Sequence, residues 1–261
     1  MKVEGAAGTI NVREFGDGSR RLVCLHALAL SGEFWDPFAA SIARDHDVRV
    51  LAVDARGHGE STWDGKPFSV EDMADDVAAV IEADGPGSAS VVGMSMGGCT
   101  ALALALRRPD LVDRLVLADT TACYGADRET KWAERARTAA TKTRAEQIPF
   151  QLTRWFSPDF AKQDGADRVV QIFLNTRPEV HAAACVALGG FDSTEQLAQV
   201  KAPTLVMVGE TDEATPPAMA QTLADGISGA RLEVIPQARH FSLIERPDVW
   251  PSISRHVGLS D

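Results

Sequence analysis

The sequence predicts an α/β fold: a mostly parallel sheet flanked by helices, with an inserted helical cap. Three observations lead there. Strand-like and helical stretches alternate along most of the 261 residues, the pattern of helices covering a parallel sheet. A glycine-flanked serine, Gly93-Met94-Ser95-Met96-Gly97, stands between a strand-like and a helical stretch. The alternation breaks between about 121 and 188, where helical pieces occur with no convincing strand. The expected division is therefore a core made of 1–120 and 189–261, with 121–188 as the cap.

Ile10–Phe15 alternates weakly before the turn signal Gly16-Asp17-Gly18. Arg21–His26 reads as a buried strand, Phe34–Ala43 as a short helix and Val48–Val53 as the next strand. The loop Asp54–Ser61 follows. Val70, Met73, Ala74, Val77, Val80 and Ile81 share one face of a helix. Asp72, Asp75 and Asp76 lie off that face and are expected in solvent. Asp84-Gly85-Pro86-Gly87 stops the helix. Ser90–Gly93 is a strand, Cys99–Arg107 a helix and Leu115–Ala118 a strand. The cap concentrates aromatic residues: Trp132, Phe150, Trp155, Phe156, Phe160 and Phe173. Pro203 opens a strand over Thr204–Val208. Pro216–Asp225 is helical, Arg231–Ile235 is the last strand, and a helix near Pro247–Val257 ends the chain.

Composition bounds the function classes. Hydrophobic residues are 45% and charged residues 24%, enough apolar material for a core. The net charge of −11 repels phosphates and anionic lipid head groups, so neither nucleic acid nor membrane is an expected partner. The apolar runs are far shorter than a bilayer span requires, and the N-terminus lacks the apolar stretch of a signal peptide. Four cysteines, Cys24, Cys99, Cys123 and Cys185, form no C-x-x-C pair. Reduced thiols and a cytoplasmic location are expected. No G-x-x-x-x-G-K-[ST] loop or metal cluster is evident, so no cofactor or metal is expected.

The chemistry centres on Ser95. A nucleophilic serine must project above the sheet on a sharp turn, and glycines two positions to either side leave the turn room. A hydroxyl needs a base. Of the six histidines, His240 is the best placed, in the loop after the last strand, at the sheet edge where ligands bind. His26 is read as structural and His58 as a turn residue; His46, His181 and His256 suit surface or packing roles. The acid belongs between serine and histidine in chain order. Asp212, in the loop Gly209–Pro216, is preferred, with Asp119 at the end of the strand before the cap as the rival. The expected oxyanion-hole donors are the backbone N–H groups of Met96 and, from the loop His26–Gly32, Leu28.

These motifs, with Asp54–Ser61 and Ala238-Arg239-His240-Phe241-Ser242, resemble the α/β-hydrolase family over nearly the whole chain, in its usual order. Within that family the chain looks most like the 3-oxoadipate enol-lactonases of aromatic-compound degradation. Arg154–Phe160, Ala182–Leu188 and Gly209–Pro217 carry the narrower likeness. The resemblance implies a serine hydrolase that opens a small-molecule lactone or ester through an acyl-enzyme. Trp155 would wall the pocket and Arg154 would meet a substrate carboxylate. The chain departs from those lactonases at His26–Leu30, and His26–Trp35 is similar to the loop of cofactor-free haloperoxidase-type hydrolases. C–C bond hydrolysis or perhydrolysis on the same three residues is therefore the alternative, and a non-enzymatic ligand receptor the third reading. The oligomeric state is left open, with a homodimer among the options.

Overall fold

The computed structural model describes residues 1–259. Strands β1 (Lys2–Gly5), β2 (Gly8–Phe15), β3 (Arg20–Leu25), β4 (Val48–Val53), β5 (Ala89–Met94), β6 (Val112–Ala118), β7 (Thr204–Gly209) and β8 (Arg231–Ile235) form one sheet in the order β1-β2-β4-β3-β5-β6-β7-β8. β1 and β2 are antiparallel to their neighbours, and the remaining pairs are parallel. Every residue of β5 and β7 is buried, because parallel strands are covered on both faces and read as continuous apolar runs. Period-two alternation divides the core. Val23, Leu25, Leu51 and Val53 join one buried cluster, and Leu22, Cys24, Val50 and Ala52 the other.

The helices are α1 (Asp36–Asp45), α2 (Val70–Asp84), α3 (Met96–Arg107), α4 (Arg128–Thr141), α5 (Arg144–Trp155), α6 (Asp164–Asn175), α7 (Pro178–Gly190), α8 (Pro217–Gly226), α9 (Ser242–Glu245) and α10 (Trp250–His256). β1 and α9 escape the sequence reading. Lys2-Val3-Glu4-Gly5 is a short polar edge, and a four-residue helix has no period to detect. The expected last helix is broken into a 3₁₀ turn, Pro247–Val249, and α10.

α2 starts at a reciprocal cap: the Ser69 hydroxyl accepts the Asp72 N–H while Asp72 accepts the Ser69 N–H. The solvated acidic face expected on this helix needs correction at Asp76. That carboxylate is buried and meets the buried Arg56 guanidinium at 2.7 Å. Arg56 comes from the loop after β4, lies 5.5 Å over the Phe68 ring and donates to the Asp72 carbonyl. The ion pair joins this helix to a residue of the preceding loop, so helical periodicity does not reveal it.

Between β6 and β7 the described chain contains α4 to α7 and no strand. The ends of this inserted segment meet: the Ser193 N–H donates to the Ala122 carbonyl, and Cys123 bridges Asp192. α7 runs to Gly190, past the expected limit at 188.

The sheet order reverses between β3 and β5, and a crevice forms outside the carboxyl ends at such a point. His26 and His58 lie beside it, with ring centres 5.2 Å apart. His26 Nε2 accepts the Ala55 N–H at 3.0 Å, so its Nδ1–H donates to the Ala27 carbonyl at 2.8 Å. Burial pulls His26 down to about 4 and His58, which His26 also repels, down to about 3. Both folded values lie below the ordinary 6.5. The stability these neutral rings contribute is therefore complete above that value and is lost as pH falls through the window beneath it. Replacing His58 by Phe is expected to flatten the fall in unfolding free energy by about 1.4 kcal/mol per pH unit in that window. Urea unfolding at pH 7, 6 and 5 checks this, and equal slopes in both proteins would refute it.

Candidate active site

β5 delivers Met94 to the carboxyl edge, and the chain turns sharply at Ser95 before α3 begins at Met96. Ser95 has φ 54° and ψ −116°, a conformation costly for a residue with a Cβ. The Ser95 N–H donates to the Ala118 carbonyl at 2.9 Å and its carbonyl accepts the Thr120 hydroxyl at 2.7 Å, which hold the strain in place. Close approach explains the flanking glycines. A Cβ on Gly93 would lie 2.2 Å from the Gly97 carbonyl oxygen, and one on Gly97 would lie 2.1 Å from that of Leu25.

Two loops converge above this turn, one carrying His240 and one carrying Asp212. His240 Nε2 lies 2.9 Å from Ser95 Oγ, and His240 Nδ1 lies 2.8 Å from Asp212 Oδ2. All three side chains are buried. Asp212 Oδ1 accepts the N–H groups of Ala214 and Thr215 at 2.7 and 3.1 Å, and Oδ2 accepts the Thr215 hydroxyl at 2.8 Å. Burial raises the Asp212 carboxyl, but His240 and these donors together outweigh it, and the group is held below the ordinary carboxylate value. An ionised Asp212 demands the proton on His240 Nδ1. That leaves Nε2 to accept from the Ser95 hydroxyl.

Asp119, the rival acid, does not bond His240. It is fully buried at the end of β6. Oδ1 accepts the Gly209 N–H at 2.9 Å, and Oδ2 accepts the Ser242 N–H and hydroxyl at 3.1 and 2.6 Å. It ties the end of β7 to the chain just after His240. Burial and the nearby charge of Asp212 push its carboxyl well above the ordinary value.

Leu28 lines the cavity beside Ser95, and Met96 opens α3. Neither backbone N–H donates to an acceptor among the described residues. At Met96 this is expected, since the first N–H groups of a helix have no partner within it. The Leu28 loop is anchored from below by Asp54, whose carboxylate accepts the N–H groups of Gly32 at 2.6 Å and Glu60 at 2.9 Å.

A cavity opens over Ser95. The core supplies Ala27, Leu28, Ser95, Ala214, Thr215, His240 and Phe241; the inserted segment supplies Tyr124, Trp132, Arg135, Gln151, Arg154, Trp155 and His181. Trp155 both lines the cavity and packs: it stacks on Phe241 at 5.2 Å and meets Phe173 edge-on at 5.3 Å. Arg154 reaches the Glu213 carbonyl at 3.3 Å and lies 5.5 Å over Phe150. Trp132, one of the cap aromatics named from the sequence, lines the cavity; Tyr124, Arg135, Gln151, Thr215 and Phe241 do so without having been expected there, and His181 does so although a packing role was expected. Trp132 and Arg135 share a helical face, but nothing in their spacing shows what that face covers. Among the described residues no group of three His, Cys, Asp or Glu could hold a metal ion. No helix is long and apolar enough to cross a membrane among them.

Residues 20–247 match the alpha/beta hydrolase fold. The chain is 28% identical to 3-oxoadipate enol-lactonase 2 of Acinetobacter baylyi, over 92% of this chain and 90% of that protein. It is 28% identical to a pimeloyl-[acyl-carrier protein] methyl ester esterase of Nitrosomonas europaea, over 94% and 97%. The crystal structure of the enol-lactonase from Burkholderia xenovorans LB400 superposes with a TM-score of 0.92 at 29% identity, covering 99% of this chain and all of that one.

Proposed function

Because the chain belongs to the α/β-hydrolase fold family, we propose that it cleaves a lactone or carboxylic ester with Ser95 as nucleophile, His240 as base and Asp212 as the base's partner. The contacts of His240 with Ser95 and Asp212, at 2.9 and 2.8 Å, carry this reading. His240 Nε2 takes the hydroxyl proton as Ser95 Oγ attacks the carbonyl carbon. The charge forming on the carbonyl oxygen meets the N–H groups of Leu28 and Met96. The imidazolium, stabilised by Asp212, returns the proton to the leaving oxygen as the C–O bond breaks. Water then attacks the acyl-enzyme by the same route and releases the acid. In a lactone the leaving alcohol stays attached, so the product carries both groups.

The finer reading is an enol-lactonase acting like the 3-oxoadipate enzymes. Its support is the similarity to the Acinetobacter and Burkholderia enol-lactonases, together with Trp155 and Arg154 on the cavity wall. Turnover of 3-oxoadipate enol-lactone, measured beside short p-nitrophenyl esters and a vinylogous diketone, tests it. The lactone is expected to give the highest kcat/KM, and a fluorophosphonate probe is expected to add to Ser95. Cleavage of the diketone with negligible lactone turnover would replace the lactonase by a C–C hydrolase. A protein that the probe fails to label would be no serine hydrolase.

A further inference from the structure

The turn Ala27–Leu30, which presents the Leu28 N–H, is weakly built on its own. The Leu30 N–H closes it onto the Ala27 carbonyl at 3.3 Å, long for such a bond. Its third residue, Ala29, has φ 59°, in the left-handed region that a residue with a Cβ enters at a cost. Two side chains hold the turn from opposite sides. From the core, His26 Nδ1–H donates to the Ala27 carbonyl at 2.8 Å. No described peptide bond is cis, and a trans peptide points its N–H away from its carbonyl. Fixing the Ala27 carbonyl therefore aims the Leu28 N–H of the same peptide the opposite way. From the inserted segment, the Thr176 hydroxyl donates to the Ala29 carbonyl at 2.6 Å.

Thr176 directly follows α6 and is buried. Threonines at helix ends commonly bond back to a carbonyl one turn earlier. Here that acceptor, the Ile172 carbonyl, lies at 3.4 Å, so the single hydroxyl proton goes to the nearer Ala29 carbonyl instead. Among the described residues the Ala29 carbonyl accepts no other hydrogen bond. α6 grips the same loop further on: Arg168 donates to the carbonyls of Glu33 at 2.5 Å and Phe34 at 3.0 Å. α6 also carries Phe173, which meets Trp155 of the cavity wall. One helix thus touches both the wall around the substrate and the loop that carries the oxyanion donor.

We propose that Thr176 is a positioning residue for the oxyanion hole: its hydroxyl pins the strained Ala29 turn and so holds the Leu28 N–H on the carbonyl oxygen as charge forms there. The inserted segment then serves the chemical step and not only substrate choice. Without the hydroxyl, Ala29 is free to rotate out of its positive φ, and the turn that aims Leu28 relaxes. This role rests on the reading of Ser95 and Leu28 given above. A role confined to stability would lower the unfolding midpoint and leave kcat unchanged. A role in aiming the donor lowers kcat and spares KM, because the oxyanion forms only after the serine attacks.

The probes are p-nitrophenyl butyrate and 1,1,1-trifluoro-2-hexanone. Ser95 Oγ adds to the ketone carbon, its proton passes to His240, and the ketone oxygen becomes an oxyanion in the hole. Thr176→Val keeps the side-chain shape and loses the hydroxyl. It is expected to lower kcat and to weaken the ketone about tenfold each, with KM within twofold, a partial form of the loss seen when an oxyanion donor is removed outright. Thr176→Ser is expected to keep both within threefold of wild type. In an Ala29→Gly background, where a positive φ carries no cost, Thr176→Val should cost less than threefold. Unchanged kcat and ketone affinity in Thr176→Val, an effect on KM alone, or a Thr176→Ser protein as impaired as Thr176→Val would each overturn the proposal. Should Thr176→Val fail to fold, Arg168→Gln decides: a threefold or larger fall in kcat at constant KM supports the clamp, and an unchanged kcat overturns it. A ketone that binds wild type and Ser95→Ala alike would bring down the serine reading and this role together. One that needs Ser95 yet binds Thr176→Val as tightly as wild type would bring down this role alone.

Discussion

Replacing Ser95 by Ala is expected to lower kcat about 10⁴- to 10⁶-fold on every ester or lactone the protein cleaves, with little change in its urea midpoint. The loss is large because the hydroxyl is the attacking group and, among the described residues, no other nucleophile bonds His240 Nε2. Stability should hold because, among the described residues, Ser95 Oγ bonds only that ring nitrogen. The backbone bonds to Ala118 and from Thr120, which pin the turn, do not involve the side chain. The positive φ of 54° remains a cost for Ala. Ser95→Gly, equally inactive, should therefore be the more stable of the two by about 1 kcal/mol. Steady-state kinetics and urea titration of the three proteins check this. Turnover within tenfold of wild type in Ser95→Ala would remove Ser95 from the mechanism.

The second large effect separates the two buried aspartates. Asp212→Asn is expected to drop kcat about 10⁴-fold, because an amide that presents N–H₂ to Nδ1 favours the wrong histidine tautomer. Its effect on unfolding should be modest, since the Ala214 and Thr215 N–H groups retain an acceptor oxygen. Asp119→Ala should behave oppositely. It strands the donors of Gly209 and Ser242 in a dry interior, at an expected cost of about 3 kcal/mol. Its kcat should fall about tenfold at most, through loosening of the chain after His240. Removing one of two neighbouring buried carboxylates relieves repulsion, which keeps the stability cost at that level rather than higher. Unfolding free energies and kcat for both variants are the measurements. If Asp119→Ala lost activity 10⁴-fold and Asp212→Asn did not, the acid would be Asp119.

The central parallel strands were legible because burial on both faces leaves a mostly apolar run, as at Val48–Val53, and the partly exposed edge strand Arg231–Ile235 was also read with its observed bounds. α2 was legible through its period and its terminal Asp84-Gly85. β1 and α9 were not, being too short to show a period. The glycines at 93 and 97 marked the turn because their need is local: a Cβ there meets backbone a few residues away or on the adjacent strand.

The cavity wall was less legible. Trp155 and Arg154 were named through likeness to a family, while Arg135, Gln151 and His181, which share that wall, carry no motif. Asp76 looked solvent-facing on its own helix and is buried by an arginine from another loop.

The sequence by itself determined the alternation of strands and helices, the place of the inserted helical segment and the sharp turn at Ser95, because each follows from periodicity or crowding within a few neighbours. Only the tertiary structure decided that Asp212 rather than Asp119 meets His240, and that Arg135, Gln151 and His181 share a cavity wall with Ser95. Those outcomes depend on which loops the reversal of strand order brings to one edge of the sheet, and pairing between distant segments leaves no mark in either segment alone.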